Sequence, residues 1–163
     1  MRCRVSILVL CLALLAGCGS NGGGKSTSTS PQQQAIAHAS TASAPAGLVA
    51  RTFLAAATTG HGGVACSLMT DRAVSRTAGY VVSTGQPKSH PAHNCEIYFM
   101  AYQTSEQGAL ASLRIRQVTV HGTRAQAEVI CPICVAKFKH RRPLTLRKTA
   151  AGWRVDFDIR RGY

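Results

Sequence analysis

The chain has 163 residues, room for one folded domain behind a leader but not for a large enzyme with a separate cofactor domain. Apolar residues make up 45% and charged residues only 15%, and one apolar run near the start leaves no material for a polytopic membrane protein. Lys and Arg number 19 against 6 Asp and Glu, a formal net charge of +13, yet no residue pattern specifies a reaction.

Arg2 and Arg4 precede an apolar stretch over residues 5–15, the order of a secretory signal. The stretch is too short to span a bilayer, which takes about 20 residues. It ends Leu15-Ala16-Gly17-Cys18, which resembles the lipobox of bacterial lipoproteins at every position. The resemblance implies a diacylglyceryl group on the Cys18 thiol and cleavage before it, so that residues 1–17 are a signal peptide. It also implies further acyl chains and a place on the extracytoplasmic face of the cell membrane. One acyl chain holds marginally, at about 0.8 kcal/mol per buried methylene, whereas two or more hold stably. Cys3 and Cys11 fall in the removed leader.

Residues 18–46 are rich in Gly, Ser, Thr, Gln and Ala without a hydrophobic period, and read as a flexible tether. A chain of that composition and length reaches roughly 30 Å. Gly22-Gly23-Gly24-Lys25-Ser26-Thr27 lacks the spacing and the preceding strand of a phosphate-binding loop, and counts as linker.

Residues 47–163 form the domain. Leu48, Val49, Phe53, Leu54 and Ala57 recur at helical spacing, and Gly60 stops the run. A short helix is expected over 64–69, and a third over 71–78 with Thr70 or Asp71 at its cap. A polar loop covers 83–93. Asn94 is read as the cap of a helix carrying Ile97, Tyr98, Ala101 and Tyr102, and Thr104 or Ser105 as the cap of another with Ala109, Leu110 and Leu113. The second half alternates: strands are expected over 114–121, 124–138, 144–148 and 153–160. In the last, Trp153, Val155, Phe157 and Ile159 face one way, and Arg154, Asp156, Asp158 and Arg160 face the other. Helices followed by an antiparallel meander give an α+β domain with its helices on one face of the sheet.

Within this order, ARTFLAAATTGHGGVACSLMT, the helix starting at Asn94-Cys95, RIRQVTVHGTRAQAEV and LTLRKTAAGWRVDFDI resemble the NTF2-like (cystatin-like) domains of actinobacterial lipoproteins. The resemblance covers residues 47–159. It implies a cone, with a curved antiparallel sheet around a pocket. Some members of that family are enzymes and many only bind ligands or partners, so the fold does not settle the function.

Four cysteines remain, Cys66, Cys95, Cys131 and Cys134, which allow three pairings. Similar lipoproteins carry cysteines at the places of Cys66 and Cys95, which suggests a bridge between two helices on one side of the sheet. Around Cys131-Pro132-Ile133-Cys134 the alternation changes phase: Ala127 and Val129 look inward before it, Ala136 and Phe138 after it. A bulge near Pro132-Ile133 would absorb the extra residue and put both cysteines on one face. Three readings compete there. A structural pair or local disulfide is favoured; a redox-active motif is the second, although such motifs usually sit at a helix N-terminus. The third is a metal site of His90, His93, Cys131 and Cys134, with Cys95 adjacent in sequence, against a bland reading of His90 and His93 as solvated loop residues.

Loss of the leader would lower the net charge of +13 by two. Many basic residues lie late, at Lys137, Lys139, Arg141, Arg142, Arg147, Lys148, Arg160 and Arg161, and read as the solvent side of the sheet. The functional alternative is attraction to anionic lipid or a cell-wall polymer; no nucleic-acid motif is present. Glu96, Tyr98 and Tyr102 are the residues that would reach a pocket, and no nucleophile-elbow context surrounds any Ser or His. The reading is therefore a membrane-anchored extracytoplasmic lipoprotein carrying a non-catalytic binding module, with no catalytic residue and no cofactor assigned. Its alternatives are a metal or thiol-redox protein using Cys131 and Cys134, and a small-molecule enzyme built on the pocket.

Overall fold

A capping box opens the first helix. In the computed structural model, which describes residues 30–134 and 143–156 and only the backbone of 102–110, Ser30 is the N-cap of α1 (Pro31–Ala39). Its hydroxyl accepts from the Gln33 amide at 3.3 Å, and Gln33 Oε1 accepts from the Ser30 amide at 3.1 Å. Pro31 sits where its missing N–H costs nothing. This corrects the tether: residues 30–45 are structured, and Ala39 and Ala44 are buried in the domain core. The local cap outweighs a composition that, averaged over the segment, looks featureless.

The central helix is α2 (Ala46–Thr58), which buries Val49, Ala50, Phe53, Leu54 and Ala57. It touches α1, α3, α5 and every strand, and so forms the floor on which the sheet lies. The helix α3 (Gly62–Ser67) is short. The helix α4 (Asp71–Ser83) is capped by Thr70, whose Oγ1 accepts from the Ala73 amide at 3.2 Å, and runs a turn past the expected end at Ala78. The two expected C-terminal helices are one, α5 (Pro91–Leu110). Asn94 is not its cap. It lies inside the helix, buried, where it accepts from the Ser89 hydroxyl and donates to the Pro87 carbonyl at 3.5 Å, fastening the preceding loop. Phe99 of α5 meets Phe53 of α2 edge to face, with centroids 5.8 Å apart.

The strands β1 (Arg114–His121), β2 (Arg124–Ile130), β3 (Leu144–Thr149) and β4 (Gly152–Val155) form an open antiparallel sheet in sequence order. Ala125, Ala127, Val129, Leu144, Leu146 and Val155 face the helices and are buried. Alternating with them in β2 and β3, Gln126, Thr145 and Arg147 face away and are exposed, and Glu128 faces away half-buried. The segment between α3 and α4 covers the edge of β4: Val155 N donates to Leu68 O at 2.8 Å and Thr70 N to Val155 O at 2.9 Å, around a parallel bridge of Met69 and Val155.

Two sheet expectations change. The second strand ends at Ile130 rather than running through a bulge; Cys131–Cys134 is a turn closed by Cys134 N donating to Cys131 O at 3.2 Å. Asp156 was expected to face solvent, but its side chain is only 8% exposed. It accepts from Thr70 Oγ1 at 3.1 Å, pairs with Arg147 Nε at 3.2 Å and binds the Arg72 guanidinium, which ties the start of α4 to the sheet. Phe157, Asp158, Ile159 and Arg160, with Ala136, Lys137, Phe138, Lys139, Arg141, Arg142 and Arg161, lie outside the described residues, as do Cys18 and the whole leader.

Candidate functional site

The helical layer is fastened where α3 crosses α5. Cys66 and Cys95 lie at disulfide distance, 2.03 Å between sulfurs, and both are buried. The helices approach so closely that a Cβ on Gly62 would stand 2.7 Å from the Glu96 carbonyl oxygen. Glycine at this position is therefore a packing requirement rather than a break in the helix.

Beside this crossing opens a cleft of about 440 Å³ between α3, α4 and α5, with β4 at one side. Its ionisable groups are Asp71 from the first turn of α4, His90 and Glu96 from around the start of α5, and Arg154 from β4. Met69, Val74 and the Cys66 side of the disulfide make the apolar wall. Two carboxylates, an imidazole and a guanidinium around an open, partly apolar cleft suit a small polar ligand carrying both signs of charge. Two serines line the cleft, Ser67 and Ser75, and the Ser67 hydroxyl donates at 2.8 Å to the Val64 carbonyl of its own helix.

The residues expected to reach one pocket separate. Glu96 lines this cleft. Tyr98 lines another, of about 270 Å³ between α4 and α5, where it meets Tyr80 edge to face at 6.1 Å. The side chain of Tyr102 lies outside the described residues. Asp71 and Arg154 were not anticipated as site residues. Asp71 had a signal, since Thr70-Asp71 marks a helix start whose first turn faces the crossing; Arg154 had none, because a strand residue reaches a cleft between helices only through the edge contact of β4 with residues 68–70.

The metal quartet is not assembled. Cys131 and Cys134 lie 1.89 Å apart at their sulfurs, facing each other rather than an imidazole. His90 sits in the α3–α5 cleft instead, and among the described residues no three His, Cys, Asp or Glu side chains gather to hold a metal ion. Cys131 is fully buried and within 3.1 Å of the Ser112 hydroxyl, whereas Cys134 is half-buried at the end of the turn. Among the described residues no helix is long and apolar enough to cross a membrane.

Comparison with family models, with curated proteins and with solved structures returns no match to this chain.

Proposed function

We propose that the protein is a membrane-anchored, extracytoplasmic lipoprotein whose α+β domain has the NTF2-like form and serves as a non-catalytic binding module. The observation that carries the reading is Leu15-Ala16-Gly17-Cys18 directly behind an apolar run with a basic start. Two cysteine pairs at disulfide distance fit an oxidising compartment. Helices followed by an antiparallel meander fit the NTF2-like order. The α3–α4–α5 cleft, with both signs of charge, is the surface that would take a ligand.

The test is the mass of the N-terminal peptide of the protein recovered from cell membranes. Cleavage before Cys18 with an acyl mass on its sulfur is the expected result, and Cys18→Ala releases the protein or leaves it unprocessed. An uncut N-terminus, or membrane retention of a cleaved Cys18→Ala variant, overturns the reading.

A second reading has one observation in its favour. The half-buried Cys134 beside a buried Cys131 that is contacted by a hydroxyl is an arrangement suited to thiol exchange. Reduction of this pair by a dithiol at concentrations that leave Cys66–Cys95 intact supports it; simultaneous reduction of both pairs removes it.

A further inference from the structure

The outer face of the sheet carries a row that crosses all four strands. His121 of β1 lies opposite Arg124 of β2, Arg124 opposite Arg147 of β3, and Arg147 opposite Arg154 of β4. Directly opposed residues share a face, so the four positions lie in line, but the Arg154 guanidinium turns back at the β4 edge, donating to the Trp153 carbonyl at 2.9 Å and lining the α3–α4–α5 cleft. At the usual spacing between strands the row is about 14 Å long. His121, Arg124 and Arg147 are exposed, and Arg154 is half-buried at the edge. Like charges placed opposite one another destabilise a sheet, and here the conflict occurs at two successive pairs, Arg124–Arg147 and Arg147–Arg154. Among the described residues the one carboxylate that answers it is Asp156, which Arg147 shares with Arg72. The next row on the same face, Thr119, Gln126 and Thr145, ends at Asp156, whose amide donates to the Thr145 carbonyl at 2.8 Å. The nearest other acid on this face, Glu128, is engaged by Arg116 at 3.5 Å.

We propose that this face docks on an anionic lipid bilayer, with Arg124 and Arg147, flanked by His121, lying along the phosphate surface. Charge complementarity selects an anion. The form of the face selects a plane: His121, Arg124 and Arg147 are exposed across the sheet, whereas the two clefts described above open among the helices. The proposal deepens the lipoprotein reading, on which it rests for the bilayer being within reach; a lipid on Cys18 would keep the domain close enough for a weak surface contact to persist.

The experiment is co-sedimentation of the full chain with vesicles of phosphatidylcholine, alone or with one third phosphatidylglycerol. The ratio of the two partition coefficients cancels any insertion of the apolar N-terminal run. The anionic vesicles are expected to bind more tightly, and Arg124→Gln to reduce that preference about fivefold, the worth of one basic residue near such a surface. Arg124→Lys keeps most of it. Arg51→Gln removes the same charge from an exposed position on α2, across the domain, and is expected to change it less than twofold. Equal losses in the Arg51 and Arg124 variants would mean net charge alone, and overturn the row. So would an unchanged preference in Arg124→Gln with its melting temperature intact. Binding of a soluble glycerol-phosphate polymer as tight as that of vesicles at equal phosphate, with the same Arg124 dependence, would replace the bilayer as occupant. Failure of the anchor is read separately: an unmodified Cys18 in cells removes the tether without touching the vesicle ratio.

Discussion

Gly152→Ala tests whether residues 30–45 belong to the fold. Gly152 has φ +96°, a conformation that an L side chain adopts only at a cost of about 1–2 kcal/mol. A Cβ there would also stand 2.8 Å from Thr41 O, 2.9 Å from Ala42 Cα and 3.0 Å from Ala42 O. All three contacts are backbone, so no rotamer change relieves them, and either the β3–β4 turn or the segment after α1 has to move. Displacing packed backbone of this kind adds about 1–3 kcal/mol. The sum, about 3 kcal/mol, corresponds to a fall in melting temperature of about 10 °C for a domain of this size. Gly85 is the internal control: its φ is also +96°, but nothing stands within 4 Å of its Cβ position. Gly85→Ala should therefore lose only the backbone share. Thermal and urea unfolding of the two variants give the difference directly. Equal losses would show that residues 41–42 do not press on the hairpin, and would restore the flexible tether that composition suggested.

Three further outcomes follow from the packing. Replacing Cys66 and Cys95 by serine should cost about 3.5 kcal/mol, because their separation of 29 residues closes a long loop, whereas the Cys131–Cys134 pair, three residues apart, should cost about 2 kcal/mol; urea midpoints of the two double variants rank them. Thr77 is fully buried and its Oγ1 has no hydrogen-bond partner among the described residues, so Thr77→Val should leave stability unchanged or raise it by about 1 kcal/mol in the same titration. Asp156→Ala removes the acceptor of Thr70 and the partner of Arg147 and Arg72, but both arginines are about half exposed and regain water; a loss of about 1–2 kcal/mol is expected, with faster amide exchange at the start of α4.

The elements best read from sequence were those whose pattern reaches the core directly. The spacing of Val49, Phe53, Leu54 and Ala57 gives α2, and the alternation of Ala125, Ala127 and Val129 gives β2, because in both the buried face is written in apolar residues at the element's own period. Boundaries failed where residues that can cap a helix lie inside one. Asn94, Thr104 and Ser105 looked like helix starts, yet α5 runs through all three, and Asn94 spends its amide on the loop ahead of it. Pro91 at the first helical position was the truer start signal. The reverse error hid α1: Ser30-Pro31-Gln32-Gln33 spells a capping box with proline in place, inside a segment dismissed for its composition.

The cleft was less accessible than the fold for a topological reason. Asp71, Glu96 and Arg154 come from three elements far apart in the chain, brought together by the packing of α4 on α5, the α3–α5 crossing at Gly62 and the edge pairing of residues 68–70 with Val155. Neither the crossing nor the edge pairing has a periodic signature. The cross-strand row of basic residues is hidden in the same way. In sequence, His121, Arg124, Arg147 and Arg154 are scattered residues; antiparallel register alone aligns their positions, and a slip of one residue in any pair would send one of them to the helix side. What holds that register is the buried set opposite, Ala125 with Leu146 and Leu146 with Val155. The apolar face that builds the core therefore also fixes the basic row on the other, so a variant that loosens Leu146 should weaken both stability and anionic-surface binding, whereas Arg124→Gln should separate them.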